Sequence, residues 1–347
     1  MSRAYLDWNA TAPLRPEARE AMLRAMDLRG NPSSVHAEGR AARALVERSR
    51  EAILAGLGAA ACDLVFTSGA TEAAALALDG RGLASAEVEH EAVLAWTDGS
   101  LAVDGEGRVS APDPRAATMQ LANSETGVLQ DLPSGLAVSD VTQGVGRVPY
   151  AHEWAGVDMA FLSAHKLGGP KGVGALVVPR GHHLAARIRG GGQESGRRAG
   201  TENLVGIAGM AAALDAALRD LADGAWQRVA ELRAILESGL EAASPDTICV
   251  GRGGPRLPNT TLALTPGWKG ETQVMAMDLA GFAVSSGSAC SSGKVRASRT
   301  LRAMGYDEGT AACGMRVSLG PSTTEGEVLR FVEAWSAARA RVRARAA

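Results

Sequence analysis

The segment DLVFTSGATEAAALAL, residues 63–78, gives the clearest indication of the fold class. A short apolar run is followed by a Thr/Ser/Gly turn and then by an alanine-rich segment, the pattern of a β-strand that leads into an α-helix. Such βα units build parallel sheets, and the first turn of the helix is a natural site for an anion. Similar short apolar runs predict further buried strands at 84–88, 117–122, 136–139, 159–163 and 174–178.

Helical periodicity surrounds these predicted strands. It extends over residues 16–28, 37–57 and 201–243, and new strand-like sequence starts at about residue 244. We therefore predict an α/β protein whose central sheet is mostly parallel and carries the functional site at its strand ends.

The same pattern divides the chain into two domains. We predict a large domain over 12–243 and a smaller α/β domain formed by 1–11 and 244–347. An arginine-rich helix would close the smaller domain. We expect its arginines to be solvated at the helix end, where the helix dipole favours positive charge: Arg339, Arg341, Arg343 and Arg345.

The composition excludes several classes of protein. The chain has 347 residues, 46% of them hydrophobic, and a formal net charge of −2, so nucleic-acid or anionic-membrane binding is not predicted as its main activity. No secretory signal precedes the first helix, and no window reaches about 18 uninterrupted apolar residues, which predicts a cytoplasmic protein. Four widely spaced cysteines indicate neither a disulfide scaffold nor a zinc ribbon.

Only four residues are lysine, and one of them lies in a chemically suggestive context. Lys166 follows a predicted buried strand, where desolvation lowers the pKa of an amine toward the range in which it can form a Schiff base. Ser163 and His165 beside it are suited to a phosphate, and Asp140 and Gln143 follow the preceding strand. A carboxylate there would keep a pyridine nitrogen protonated, so the set predicts pyridoxal phosphate (PLP) as the cofactor.

Ten motifs follow one another along nearly the whole chain: YLDWNATAPLRPEA, NPSSVHAEGR, FTSGATEAA, EHEAVL, LANSETGVLQ, DVTQGVGRVP, SAHKLGGPKGVGAL, RGGGQESGRRAGTEN, VSSGSACSSG and MRVSLG. The series resembles the class V aminotransferase-like PLP enzymes, specifically the cysteine desulfurases of the NifS/IscS group. The resemblance implies the PLP-dependent transferase fold (fold type I, aspartate aminotransferase-like). It also implies conversion of L-cysteine to L-alanine, with the sulfur retained as an enzyme persulfide.

The resemblance also implies a role for individual residues around the cofactor. The phosphate would be held by Ala70, Thr71, Ser163 and His165, and Thr71 would also cap its helix. His90 would stack on the pyridine ring, Asp140 would pair with the ring nitrogen and Gln143 with the phenolic oxygen. Lys166 would carry the cofactor. Thr201 would reach the phosphate in the other subunit, which implies a homodimer with shared sites.

On the substrate side, the resemblance implies that Arg316 binds the carboxylate of L-cysteine, a task suited to a guanidinium. Ser124 stands where the family usually has an asparagine that contacts cofactor and substrate. Cys290 would be the catalytic cysteine, since its Ser/Gly-rich surroundings predict a surface loop, and Lys294 and Arg296 nearby favour a thiolate. The remaining cysteines adjoin apolar or helical sequence and are expected to be buried: Cys62, Cys249 and Cys313.

The chain is shorter than the family norm. Between His90 and Asp140 we expect a peripheral crossover helix to be missing. Two alternatives remain open: another class V lyase or aminotransferase, such as a selenocysteine lyase, and a desulfurase-derived binding or scaffold protein. The acceptor of the sulfur, an iron–sulfur scaffold or a tRNA-thiolation protein, is not identified by the sequence.

Overall fold

The computed structural model describes residues 3–286 and 297–346. Its strands are β1 (Ala4–Tyr5), β2 (Cys62–Thr67), β3 (Thr118–Gln120), β4 (Leu136–Asp140), β5 (Val157–Ser163), β6 (Gly174–Pro179), β7 (Ile248–Cys249), β8 (Thr260–Leu264), β9 (Phe282–Ala283), β10 (Ser285–Ser286) and β11 (Gly314–Ser318). Its helices are α1 (Pro16–Met26), α2 (Ala37–Gly56), α3 (Ala70–Leu78), α4 (Glu91–Leu94), α5 (His152–Ala155), α6 (Leu204–Ala222), α7 (Ala225–Ala243), α8 (Gly270–Leu279), α9 (Arg299–Ala303), α10 (Glu308–Ala311) and α11 (Glu325–Ala346).

The central sheet has the strand order β2-β6-β5-β4-β3. β4 pairs in parallel with β3 and β5, whereas β6 runs antiparallel to both of its neighbours. Four of the five strands therefore point the same way, as predicted, and β6 is inverted. Only residues 164–173 connect β5 to β6. A β6 parallel to β5 would need a crossover connection of about a dozen residues or more, so this short connection favours the antiparallel pairing.

Helices cover both faces of this sheet because the side chains of its strands alternate. Leu64 and Phe66 of β2 pack in one core with α1, α2 and α6. Val65, between them, packs in the opposite core with α3. The sheet is thus buried on both sides, and its strand ends remain as the accessible edge.

A second, antiparallel sheet follows with the order β10-β11-β8-β7. Residues of α7, α8 and α11 share its main core, in which Phe331 and Trp335 are completely buried. Helix α7 therefore packs with the C-terminal half, although the sequence groups it with the large domain. The division into 12–243 and the remaining segments stays a prediction.

Two predicted elements differ from the structure. Residues 84–88 were expected as a strand but form only single bridges, at Ala84 and Ala86. The helical region 201–243 is two helices, because Gly224 adopts a left-handed conformation (φ +79°) that ends regular α-helix.

The expected absence of a crossover helix between His90 and Asp140 is confirmed for the link between β3 and β4. No helix lies in the described residues 121–135 that join these two parallel neighbours. Leu121 and Leu132 of this link pack against the core of the central sheet. The irregular segment 121–135 thus covers part of the central sheet where a crossover helix was expected.

One of the C-terminal arginines corrects the expectation of a solvated helix end. The Arg339 side chain is only 5% exposed and pairs with Asp246, while Arg343 also bonds Asp246 but is half-exposed. Among the cysteines, Cys249 and Cys313 are buried and Cys62 is half-buried. None of the described helices combines the length and apolar character that crossing a membrane requires.

Candidate active site

A cavity of about 1150 Å³ opens at the carboxyl ends of β4 and β5. Its wall combines Asp140 from β4, Ser163 from β5 and Arg316 from β11 of the second sheet. Strands that point the same way bring their carboxyl ends to one edge, which is why residues far apart in sequence meet there. The cavity also receives residues from the start of α3 and from the N-terminal segment around Asn9.

Lys166 lies in a short 3-10 turn directly after β5. Its Nζ donates to the backbone carbonyl oxygens of Asn9 (2.7 Å) and Ala10 (2.8 Å). Burial and the nearby guanidinium groups of Arg316 and Arg147 lower the pKa of Lys166 to about 8. A substantial fraction of the amine is therefore neutral and nucleophilic in mildly alkaline solution.

Asp140 and Gln143 occupy the end of β4 and the turn that follows it. One carboxylate oxygen of Asp140 accepts a hydrogen bond from the Thr142 backbone N–H at 2.9 Å. Burial raises the pKa of Asp140, while the Thr142 bonds and the charges of His90 and Lys166 act in the opposite direction. The amide of Gln143 donates to the Asn9 carbonyl at 3.0 Å, and its oxygen accepts from Arg147 at 2.8 Å.

The first turn of α3 also lines the cavity. Gly69 occupies the N-cap position and no side chain caps the helix. Thr71 is the second helical residue, so the additional role as a capping residue is wrong. A Cβ on Gly69 would lie 3.6 Å from Ser163 Oγ, which places this hydroxyl beside the helix start. Ala70, Thr71 and Ser163 thus line the same cavity, at the start of a helix that suits an anion.

Two histidines complete the cavity. His165 Nδ1 lies 3.2 Å from the Thr11 hydroxyl, and burial together with the charges of Lys166 and Lys171 lowers the pKa of His165 to about 4. It is therefore a neutral hydrogen-bonding group. His90 precedes α4, and its Nδ1 accepts from the Ala92 backbone N–H at 3.1 Å.

Arg316 is held at the second-sheet side of the cavity by two acceptors. Its Nη2 donates to an Asp7 carboxylate oxygen at 2.8 Å and its Nη1 to the Ser124 carbonyl oxygen at 3.0 Å. Ser124 therefore contributes its backbone to the site. Within the described residues, the buried Nε of Arg316 has no hydrogen-bond partner.

Sequence reasoning missed Asn9, which is 1% exposed and connects both sheets. Its side chain donates to Thr260 Oγ1 (2.9 Å) and accepts from Arg147 (2.6 Å) and Asn259 (3.1 Å), while its backbone N–H donates to Ser318 Oγ (3.0 Å). Asn9 lies in the motif YLDWNATAPLRPEA, but it follows Asp7 within a turn, so no strand alternation marks it as buried.

Sequence reasoning also missed three buried charged or acidic groups. The Arg147 guanidinium donates to oxygens of Asn9, Gln143 and Lys166, none of which is a carboxylate. Burial raises the pKa of Glu125 to about 7 and that of Glu89 well above its usual value. No local pattern marks these residues, since their burial results from contacts made across the fold.

One predicted site residue is not brought into the cavity, and another lies outside the described residues. Thr201 is exposed just before α6 and is not among the described residues that line the cavity. Cys290 lies outside the described residues, together with Lys294 and Arg296. Every other predicted site residue lines the cavity: Ala70, Thr71, His90, Ser124, Asp140, Gln143, Ser163, His165, Lys166 and Arg316.

The donor set fits a phosphorylated pyridine aldehyde. The uncapped start of α3 and the hydroxyl of Ser163 suit a phosphate dianion, and the amine of Lys166 suits an aldehyde. The buried carboxyl group of Asp140 lies in the same cavity and suits a protonated pyridine nitrogen.

Known proteins resemble the chain over nearly its full length. The aminotransferase class-V family profile matches residues 4–331. A cysteine desulfurase of Cereibacter sphaeroides is 40% identical over 370 residues, covering 96% of this chain and 95% of that protein. The cysteine desulfurase IscS of Dictyoglomus turgidum is 35% identical over 360 residues, covering 93% and 91%.

Solved structures agree with these sequence comparisons. A NifS-like protein from Rickettsia africae superposes with a TM-score of 0.88 at 30% identity, covering 96% of this chain and 99% of that one. A second NifS-like protein gives a TM-score of 0.85 at 29% identity, covering 97% and 99%. Because the family profile and the relatives span nearly the entire sequence, the chain belongs to the aminotransferase class-V family.

Proposed function

We propose that this protein is a PLP-dependent cysteine desulfurase, which converts L-cysteine to L-alanine and retains the sulfur as a persulfide. The observation that carries the proposal is the single cavity that unites Lys166, Asp140 and Arg316. These groups suit a Schiff base, a protonated pyridine and an amino-acid carboxylate, respectively. Relatives named cysteine desulfurase, matched over nearly the whole chain, support this substrate.

The residues at the strand ends would hold the cofactor. Ala70 and Thr71 of α3, with Ser163 and His165, would bind its phosphate, and Lys166 would attach its aldehyde carbon. Asp140 would keep the ring nitrogen protonated, Gln143 would face the phenolic oxygen and His90 the ring. When bound, PLP supplies an electron sink for the pair released when a bond at the α-carbon of the substrate breaks.

Arg316 and Lys166 would act on the amino acid itself. Arg316 would bind the substrate carboxylate with donors that its contacts to Asp7 and Ser124 leave free, because each terminal guanidinium nitrogen carries two hydrogens. Once the amine of the amino acid has displaced Lys166 from the aldehyde carbon, the freed neutral amine of Lys166 would take the proton from the α-carbon, helped by its lowered pKa of about 8.

Cys290 would receive the sulfur. Its thiolate would attack the sulfur of the substrate, and the bond between that sulfur and Cβ would break as the sulfur–sulfur bond forms. The electron pair of the broken bond and a proton end in the methyl group of L-alanine, and the persulfide remains on Cys290.

Two variants with a matched control test this proposal. Cys290→Ser should keep the visible absorption of the bound cofactor and lose alanine and sulfide formation from L-cysteine. Lys166→Ala should lose both the absorption band and the activity. Lys171→Ala removes a lysine that also lines the cavity and should keep both. Turnover that persists in Cys290→Ser, measured as alanine released, would contradict the role of Cys290.

The proposal also covers the location of the protein, its oligomeric state and the acceptor of the sulfur. We propose a cytoplasmic homodimer in which the partner's Thr201 contacts the phosphate, with an iron–sulfur scaffold or a tRNA-thiolation protein as sulfur acceptor. Trapping the persulfide with radiolabelled cysteine and identifying the protein that receives the label tests the acceptor. Comparing alanine formation from cysteine and from selenocysteine separates desulfurase from selenocysteine lyase.

A further inference from the structure

Glu125 is a carboxyl group in the cavity wall to which the proposed function gives no role. It is 8% exposed, and its backbone N–H is fixed by the Asn123 side-chain oxygen at 2.9 Å. Its Oε1 is buried and has no hydrogen-bond partner among the described residues. Leaving a buried carboxylate oxygen unpaired is costly when the group is charged and much less so when it is protonated.

The guanidinium of Arg316 interacts with more than one acidic group near Glu125. The charge of Arg316 acts on Glu125, and the same guanidinium donates to the carboxylate of Asp7 at 2.8 Å. Two acidic groups therefore share Arg316, and Arg299 on α9 is the other cation that acts on Glu125. An amino-acid carboxylate bound at Arg316 would be the third acidic group in this buried cluster.

We propose that Glu125 takes up a proton from solvent when an amino-acid carboxylate binds at Arg316, so that substrate binding is coupled to protonation of this site. The inference rests on the proposed function, because it takes Arg316 as the carboxylate-binding residue. Protonation removes one negative charge as the ligand adds one, and the charge of the buried cluster stays the same.

The neighbouring acids are less suited to this exchange. Both carboxylate oxygens of Asp7 accept a hydrogen bond, from Arg316 Nη2 at 2.8 Å and from Ser285 Oγ at 2.9 Å, whereas Glu125 Oε1 has no partner among the described residues. Burial raises the pKa of Glu89 well above its usual value, and its Oε1 accepts a hydrogen bond from the Gln120 backbone N–H at 2.8 Å. Asp140 ends β4, and the charges that act on it are those of His90 and Lys166.

Glu125 itself titrates in the required range. Burial raises its pKa to about 7, against the stabilising effect of the Ser298 and Thr300 hydroxyl groups and of Arg316 and Arg299. A bound carboxylate raises this pKa further. At a pH between the pKa of Glu125 in the free protein and its pKa in the ligand-bound protein, the bound form holds more protons than the free form. The affinity for the amino acid therefore falls as the pH rises above about 7, by at most about tenfold per pH unit.

The test is calorimetry of L-alanine binding to the holoenzyme at pH 8, in two buffers that differ in ionisation enthalpy. The difference between the observed enthalpies gives the number of protons taken up. For Glu125→Gln we expect an uptake lower by nearly one proton than for the wild type, and an affinity that falls less steeply above pH 7. Glu87→Gln, which removes a half-exposed partner of Arg299, should keep the wild-type uptake.

A second variant keeps the proposal testable if Glu125→Gln does not fold. Thr300→Ala removes a hydroxyl that stabilises the charged form of Glu125, so the onset of proton uptake should move to higher pH. Equal uptake in wild type and Glu125→Gln would overturn the coupling. Loss of cysteine turnover with intact proton coupling would instead count against the proposed function alone, since alanine binding requires no sulfur chemistry.

Discussion

Asn9 shows how much of the site depends on a residue that performs no chemistry itself. Its carbonyl oxygen accepts hydrogen bonds from Lys166 and Gln143, and its side chain bonds Thr260 of the second sheet. Every polar group of this buried residue is used. Because the partners of its side chain are also buried, they have no water to replace it when it is lost.

Asn9→Ala should therefore destabilise the protein by about 2–4 kcal/mol, since it leaves Thr260 and the donors of Arg147 and Asn259 with fewer partners. Urea unfolding monitored by circular dichroism measures the change. Asn31→Ala, which removes one hydrogen bond in an exposed turn, should cost less than about 1 kcal/mol. Equal costs for the two variants would show that the Asn9 network adds nothing to stability.

At this scale, the sequence predicts residues whose chemistry is visible in a local motif. Lys166, Ser163 and His165 are adjacent in SAHK, and the structure places all three at the cavity. Arg147 and Glu125 also occur in quoted motifs, yet their roles depend on burial. Burial arises from contacts with segments more than a hundred residues away, which no local pattern contains.

At the scale of elements, the loop 190–200 is the clearest case of a segment fixed by one side chain. Glu194 and Ser195 have positive φ values of 50° and 57°, which are uncommon for residues with a side chain. The carboxylate of Glu194 accepts from both terminal nitrogens of Arg50 and from the Phe66 backbone N–H. This buried pairing ties the loop that precedes Thr201 to α2 and β2.

Glu194→Gln should cost about 2–4 kcal/mol, because it removes the buried partner of Arg50 and leaves a largely buried guanidinium without its main counter-charge. Glu47→Gln is a matched control, since Glu47 pairs with the same arginine but is 48% exposed, and it should cost less than about 1 kcal/mol. Thermal unfolding of both variants compares them. A larger loss in Glu47→Gln would mean that the exposed pair, and not the buried one, stabilises Arg50.

Elements with strong local patterns were predicted well, and those that depend on pairing were not. The run at 63–78 forms β2 and α3 nearly as expected. Residues 84–88 are as apolar as a strand, but a strand also needs a neighbour along its whole length, and only Ala84 and Ala86 find one. The inversion of β6 follows from the length of the preceding connection, which a strand-by-strand interpretation does not consider.

For the whole molecule, the proposed homodimer leads to a complementation experiment. If the partner's Thr201 completes each site, a hybrid of Lys166→Ala and Thr201→Ala subunits contains one intact site. Random mixing makes about half of the dimers hybrids, so the mixture should recover about a quarter of the wild-type activity. Each variant alone should remain nearly inactive, and no recovery on mixing would show that Thr201 acts within its own chain.

The contacts of the N-terminal segment also affect the order in which parts of the protein fold during synthesis. Asp7 bonds Arg316 and Asn9 bonds Ser318, so each pair joins residues separated by 309 positions. During synthesis the central sheet can form on the ribosome before β9 and β11, the pairing partners of segment 4–9, have been synthesised. Such distant pairings form late and slowly. The nascent chain therefore has the lysine and its strand long before it has a finished site.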